Sequence, residues 1–147
     1  MSNATMTKFG FPRTLVAETA HWTVLVRPQQ VTLGSLVLVC KEPVTAFGAA
    51  SPAAFADLQP VIAGVERMLK GFVDYERINY LMLMMVDPDV HFHVIPRHPG
   101  TRERDGVAYA DAGWPGPPNL GSGVALDEAG QAALAQHLRQ LWSSANA

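Results

Sequence analysis

A chain of 147 residues, 48% hydrophobic and 16% charged, is long enough for one hydrophobic core and too apolar to be a disordered segment. Its 11 basic and 13 acidic side chains give a formal net charge of -2 without long blocks of one sign, which argues against coating a nucleic acid polymer but permits a small anionic ligand. A single cysteine, Cys40, excludes an intramolecular disulfide; with no run of ~18 apolar residues to span a bilayer and no secretory leader, a cytoplasmic protein without a membrane partner is expected.

Met1-Ser2-Asn3-Ala4 reads as an appended scar, with the natural chain starting near Met6. Residues 1–8 are therefore set aside as a scar or disordered terminus, and 9–147 are taken as one domain. His21 to Val26, rich in Trp, Thr and Val, reads as a strand stopped by Arg27-Pro28. Ser35 to Cys40 is apolar and β-branched enough for a central strand antiparallel to it.

Ser51 and Pro52 mark a helix start, because Ser51 can cap free amides and Pro52 stands where its missing N–H costs nothing. Phe55, Leu58, Ile62, Val65, Leu69 and Phe72 recur at helical spacing, predicting one apolar face against the sheet, with Pro60 as a point of bending. Ile78 to Val86 reads as a strand, Asp87-Pro88-Asp89 as a tight reversal, and Val90 to Ile95 as a returning strand ended by Pro96. Residues 98–123, rich in Gly, Pro and charge, predict an ordered excursion anchored by Trp114. Asp127 can cap a final helix with Leu134, Leu138, Leu141 and Trp142 on one side.

The returning strand carries the candidate chemistry. Strand alternation turns Asp89, His91, His93 and Ile95 to one face, and Val90, Phe92 and Val94 to the other. Spacing alone leaves three readings. The imidazoles can be ordinary polar residues on the wetter face of a sheet. They can bind a metal, with Asp89 completing two histidines and one carboxylate. Alternatively, one imidazole is a nucleophile towards phosphorus and the other, as a cation, stabilises developing charge.

The string Asp89-Val90-His91-Phe92-His93-Val94-Ile95-Pro96-Arg97 resembles the signature of the histidine-triad family, and bacterial histidine-triad-like nucleotide hydrolases in particular. In that signature three histidines alternate with hydrophobic residues and a Pro-Arg can follow. The order of elements, from the strands around Gly34-Ser35 to Trp114-Pro115, is similar over nearly the whole chain. The resemblance implies an α+β fold with an antiparallel sheet of about five strands, a long helix and a C-terminal helix, and a homodimer. It implies His91 as the nucleophile at the α-phosphate of a nucleotide conjugate, such as a dinucleoside polyphosphate or nucleoside phosphoramidate, with His93 stabilising charge. No cofactor and no metal enter that chemistry.

Three departures stand out. Asp89 replaces the first histidine; its carbonyl can still hold the nucleophile's other ring nitrogen, while its carboxylate can raise a nearby imidazole's pKa or form a turn. The reversal at 87–89 lacks the Gln and Ser or Thr donors of a longer phosphate loop, leaving His93, backbone amides or Arg97 for phosphate. Arg27 stands where relatives place an acceptor for ribose hydroxyls, so it is expected to reach a polyphosphate or a surface acid. Trp22, with His21, can line a base pocket or belong to the core, and Trp114 is a second candidate substrate contact. Ser35 is read as a strand-edge residue, Asn79 as facing the side of His91, and His98 and His137 as exposed. A nucleotide-binding or sensing module with weak turnover and a metal-dependent hydrolase using Asp89, His91 and His93 stay open as alternatives.

Overall fold

Leu36–Cys40 is buried at every position, and a segment apolar on both faces belongs at the centre of a covered sheet. The computed structural model describes residues 2–147. In chain order these form α1 (Ala4–Lys8), β1 (Leu15–Glu18), β2 (Trp22–Val26), β3 (Gln29–Gln30), β4 (Leu36–Cys40), a short 3-10 turn (Phe47–Ala49), α2 (Pro52–Val73), β5 (Arg77–Leu81), β6 (His91–Arg97), β7 (Thr101–Arg104), β8 (Val107–Ala110), β9 (Val124–Ala125) and α3 (Glu128–Ala145). Five strands make an antiparallel sheet in the order β1-β2-β4-β6-β5, with β4 central. β3 pairs with β9, and β7 with β8, in two small ribbons. The expected α+β architecture is the one observed.

α2 starts as its sequence dictates, with Ser51 Oγ accepting from the Ala54 amide at 3.1 Å. It runs unbroken through Pro60, which is tolerated because Pro60 and Ala56 are both exposed and water can satisfy the carbonyl left without a donor. The buried face centres on Ala54, Leu58, Val61, Val65, Met68 and Leu69, so the predicted stripe is turned: Ile62 and Phe72 lie at its edge and Phe55 is 42% exposed. Gly64 is where α2 and α3 meet; a Cβ there would lie 2.6 Å from the Trp142 ring. Asp127 caps α3 as expected, accepting from the Gly130 amide at 2.7 Å.

Two expectations for the β5–β6 connection need correction. β5 ends at Leu81, opposite His93, and the chain from 82 to 90 is a loop rather than a tight reversal. Val90 bonds on the β4 side of the sheet, its amide donating to the Val44 carbonyl at 3.3 Å and its carbonyl accepting from the Cys40 amide at 2.9 Å. Pro96 does not end β6, which continues to Arg97; it lies past the last β4 rung, where a missing donor is tolerated.

Of the segment 1–8 set aside as a scar or disordered, Met1 lies outside the described residues, and Asn3 to Lys8 are part of the structure. Asn3 caps α1 by accepting from the Met6 amide, and its side chain donates to the Cys40 carbonyl at 3.0 Å. Met6 and Phe9 pack with Leu25, Val37 and Val39 on the sheet face opposite α2 and α3. Residues 98–123 form the ordered excursion anticipated, with Trp114 half-buried in it.

Candidate functional site

β6 places two imidazoles on one face because its side chains alternate, and the register puts His91 opposite Val39 and His93 opposite Val37. Phe92 and Val94 face the α2 side, so the predicted division of the strand holds. The rings of His91 and His93 lie edge to face, 5.3 Å between centroids.

The two tautomers are fixed by different partners. His91 Nδ1 is 2.7 Å from the main-chain carbonyl of Asp89, an acceptor only, so Nδ1 carries the proton and Nε2 keeps a free lone pair. Arg27 Nε donates to His93 Nδ1 at 3.3 Å, which leaves the His93 proton on Nε2. Burial first, then the positive field of Arg27, lowers the His93 pKa from 6.5 to about 4. At neutral pH His93 is therefore a neutral donor, not the cationic helper expected from sequence. Burial also draws the Arg27 guanidinium below its ordinary range, and it remains a cation at neutral pH.

A cleft of about 340 Å³ opens beside His93, lined by Lys8, Phe9, Arg27, Gln29, Val86 and Asp87, with Pro28 at its edge. His91 is not part of the lining. It is 2% exposed and sits beneath α1, with Phe9 covering both imidazoles at centroid distances of 6.2 Å and 5.7 Å.

The Asp89 carboxylate reaches α1 rather than forming a turn with the amides that follow Pro88. Oδ2 accepts from the Thr5 amide at 3.1 Å and from Thr5 Oγ1 at 2.9 Å, so the side chain ties α1 to the end of β6 while the carbonyl orients His91. A carboxylate so engaged does not complete a metal site with the two histidines. Among the described residues no group of three His, Cys, Asp or Glu side chains is placed to hold a metal ion.

The remaining expected contacts divide. Arg27 is in the cleft. Arg97 is not: it is 3% exposed and spent on a paired contact to Asp111 at 2.7 Å and 3.0 Å, on Asn79 Oδ1 at 2.8 Å and on the Gly116 carbonyl at 2.8 Å. Four of its five N–H donors are taken by protein partners. Trp22 is fully buried, with Nε1 donating to the Ala54 carbonyl at 2.8 Å, so it belongs to the core beneath α2. Trp114 lines a separate cavity with Arg97, Asn79 and Arg77. Asn79 does face the His91 side, as Arg97 shows by reaching it. Ser35 is fully buried and closes a turn, donating to the Thr32 carbonyl at 2.7 Å. His98 is fully buried rather than exposed, its amide held by Asp111 at 3.2 Å, and burial lowers its pKa. His137 is half-buried against Phe72.

Lys8, Phe9, Gln29, Val86 and Asp87 were not anticipated. For the first two a signal existed: Asn3 three residues before Met6 is a cap pattern, and Met6 and Phe9 repeat at helical spacing.

Comparison with known proteins locates the fold. The sequence matches no protein-family profile and no curated relative. Solved structures do match. A histidine triad protein from Bradyrhizobium japonicum superposes with a TM-score of 0.72 at 21% identity, covering 99% of this chain and 96% of that one. A histidine triad (HIT) protein from Sinorhizobium meliloti 1021 gives 0.70 at 20%, covering 95% of each. The C. elegans NitFhit protein gives 0.65 at 22%, covering 88% of this chain, which spans 27% of that longer one. The chain thus has the fold of histidine-triad proteins.

Proposed function

We propose that the chain acts on the α-phosphate of a nucleotide conjugate through a covalent nucleotidyl-His91 intermediate. The observation that carries this reading is the 2.7 Å contact between His91 Nδ1 and the Asp89 carbonyl, which aims the reactive lone pair away from the strand even though the first histidine of the triad is absent. Nε2 attacks phosphorus, the bond to the leaving group breaks, and the leaving group departs with the electron pair and takes up a proton. His93 Nε2–H donates a hydrogen bond to the phosphoryl oxygen as charge gathers there. Water then attacks phosphorus, the P–N bond breaks, and nucleoside monophosphate and neutral His91 are released, with the water's second proton passing to solvent. For phosphorus to reach Nε2, Phe9 must swing from its place over the rings.

The test is a quenched incubation with a radiolabelled adenosine polyphosphate. Wild type is expected to carry acid-labile label and His91→Ala none. Label on both proteins, or on neither while product still forms, overturns the covalent route. A second reading, a nucleotide-binding or sensing module, is favoured by the burial of His91 under α1. It predicts saturable nucleotide binding without protein-bound label.

The same reading includes a homodimer. Phe47, Phe55, Leu83, Met85 and Val86 are exposed large apolar side chains, and Met85 and Val86 are 83% and 81% exposed. β5 ends the sheet with one edge unpaired. Sedimentation equilibrium is expected to give twice the chain mass; a monomer at all concentrations would count against it.

A further inference from the structure

The cleft beside His93 carries a charged rim that attack on an α-phosphate does not require. Lys8 Nζ pairs with Asp87, 2.8 Å from Oδ1 and 3.1 Å from Oδ2, across the cleft mouth. The Lys8 side chain is half exposed while Asp87 is 14% exposed, so the ammonium is the more solvent-accessible member of the pair. Lys8 lies three residues after Thr5, one turn along the same helix face, and Thr5 is 1% exposed and held by Asp89. The backbone that presents Lys8 is therefore fixed to the residue that orients His91. On the other side stands Arg27, committed to His93 and to the Gln29 carbonyl at 2.8 Å. Two cations and one carboxylate line the cleft of about 340 Å³.

Resting on the reading of this cleft as a nucleotide site, we propose that Lys8 is a specificity-determining residue that exchanges Asp87 for the phosphate beyond the α-phosphate of the substrate. In the free protein Asp87 neutralises Lys8. An incoming anion must compete with that carboxylate, and its negative charge is also repelled by it. A single phosphate, already served by His93 and Arg27, gains little by the exchange. A second phosphate gains a charge-assisted hydrogen bond from Lys8 that a neutral leaving group cannot make. The site therefore favours polyphosphate leaving groups over uncharged amines or alcohols.

The pair of residues allows a test with opposite signs. Binding of ADP and AMP is measured by calorimetry on wild type, Lys8→Met, Asp87→Asn and the control Lys70→Met, whose ammonium pairs with Asp74 at the end of α2. Lys8→Met should loosen ADP about tenfold more than AMP, and Asp87→Asn should tighten ADP several-fold. The control should change neither. Lys8→Arg, which keeps the charge, should recover most of the ADP affinity. If Lys8→Met and Asp87→Asn weaken ADP alike, the pair is only a clasp and the assignment is wrong; it is equally wrong if Lys8→Met affects both nucleotides by the same factor. Failure of wild type to bind either nucleotide would remove the nucleotide reading itself, whereas unlabelled His91 with intact ADP selectivity would remove only the covalent chemistry.

Discussion

Arg27 Nε lies 3.3 Å from His93 Nδ1, so the second imidazole of the strand, already held neutral by burial, also accepts a hydrogen bond from a cation that disfavours its protonation. Its role follows from that contact. A charged His93 beside Arg27 would repel it, whereas a neutral one can still offer Nε2–H to an anion held by both.

Replacing Arg27 with Gln should raise the His93 pKa from about 4 towards 6.5 without fully restoring it, because burial is the larger cause and remains. The His93 ring-proton shift followed by NMR against pH reads this directly. An unchanged midpoint would show that the guanidinium does not set the protonation of His93.

The depressed His93 pKa also links folding to pH. A group that binds its proton less readily when folded makes the unfolded chain the better base, so stability is full above pH 6.5 and declines as pH falls to about 4. The loss available from this one imidazole is on the order of 3 kcal/mol. His98, lowered by burial, acts in the same direction. Urea denaturation on either side of that window should show a larger loss for wild type than for His93→Gln; equal losses would place the effect elsewhere.

Phe9 touches both imidazole rings and is itself nearly buried. Truncating it to Ala should uncover His91 and speed its modification by diethyl pyrocarbonate several-fold, read by peptide mass spectrometry. His137, distant in the fold, serves as the internal reference. No change in the His91 rate would mean that the α1 backbone, rather than the Phe9 ring, shields that imidazole.

Arg97→Met should act on folding and not on phosphate recognition. Removing one member of a buried, paired Arg–carboxylate contact leaves Asp111 charged and without its partner, at a cost of about 3–5 kcal/mol. Chemical denaturation measures the loss, and nucleotide affinity measured below the unfolding transition should stay near that of wild type. A variant with wild-type stability but weak binding would return Arg97 to the phosphate site.

The alternation of β6 was readable in the sequence because period two is fixed by backbone geometry, and so were the caps at Ser51 and Asp127, where the side-chain oxygen acts within three residues. The fates of Arg97 and Trp22 were not. Their partners, Asp111 and the Ala54 carbonyl, lie far along the chain, and nothing local tells an arginine that serves a carboxylate from one that serves a phosphate. The end of β5 was missed because the apolar string 82–86 has strand composition, while its pairing with β6 stops at Leu81 opposite His93. The pairing of Lys8 with Asp87 was hidden because residues 1–8 were set aside, although the Asn3 cap and the Met6–Phe9 spacing mark α1, and because its two members lie 79 residues apart.

Docking of the Asn3–Lys8 helix over the imidazoles has a practical corollary. A purification handle fused ahead of Asn3 would emerge next to Cys40 and Asp89, where it bears on the cap that seats α1 over the two imidazoles. A handle after Asn146, which bonds Arg67 at the helix layer on the reverse side of the sheet, would leave the cleft untouched. Kinetics gathered with the two placements should be compared before any rate is attributed to the protein.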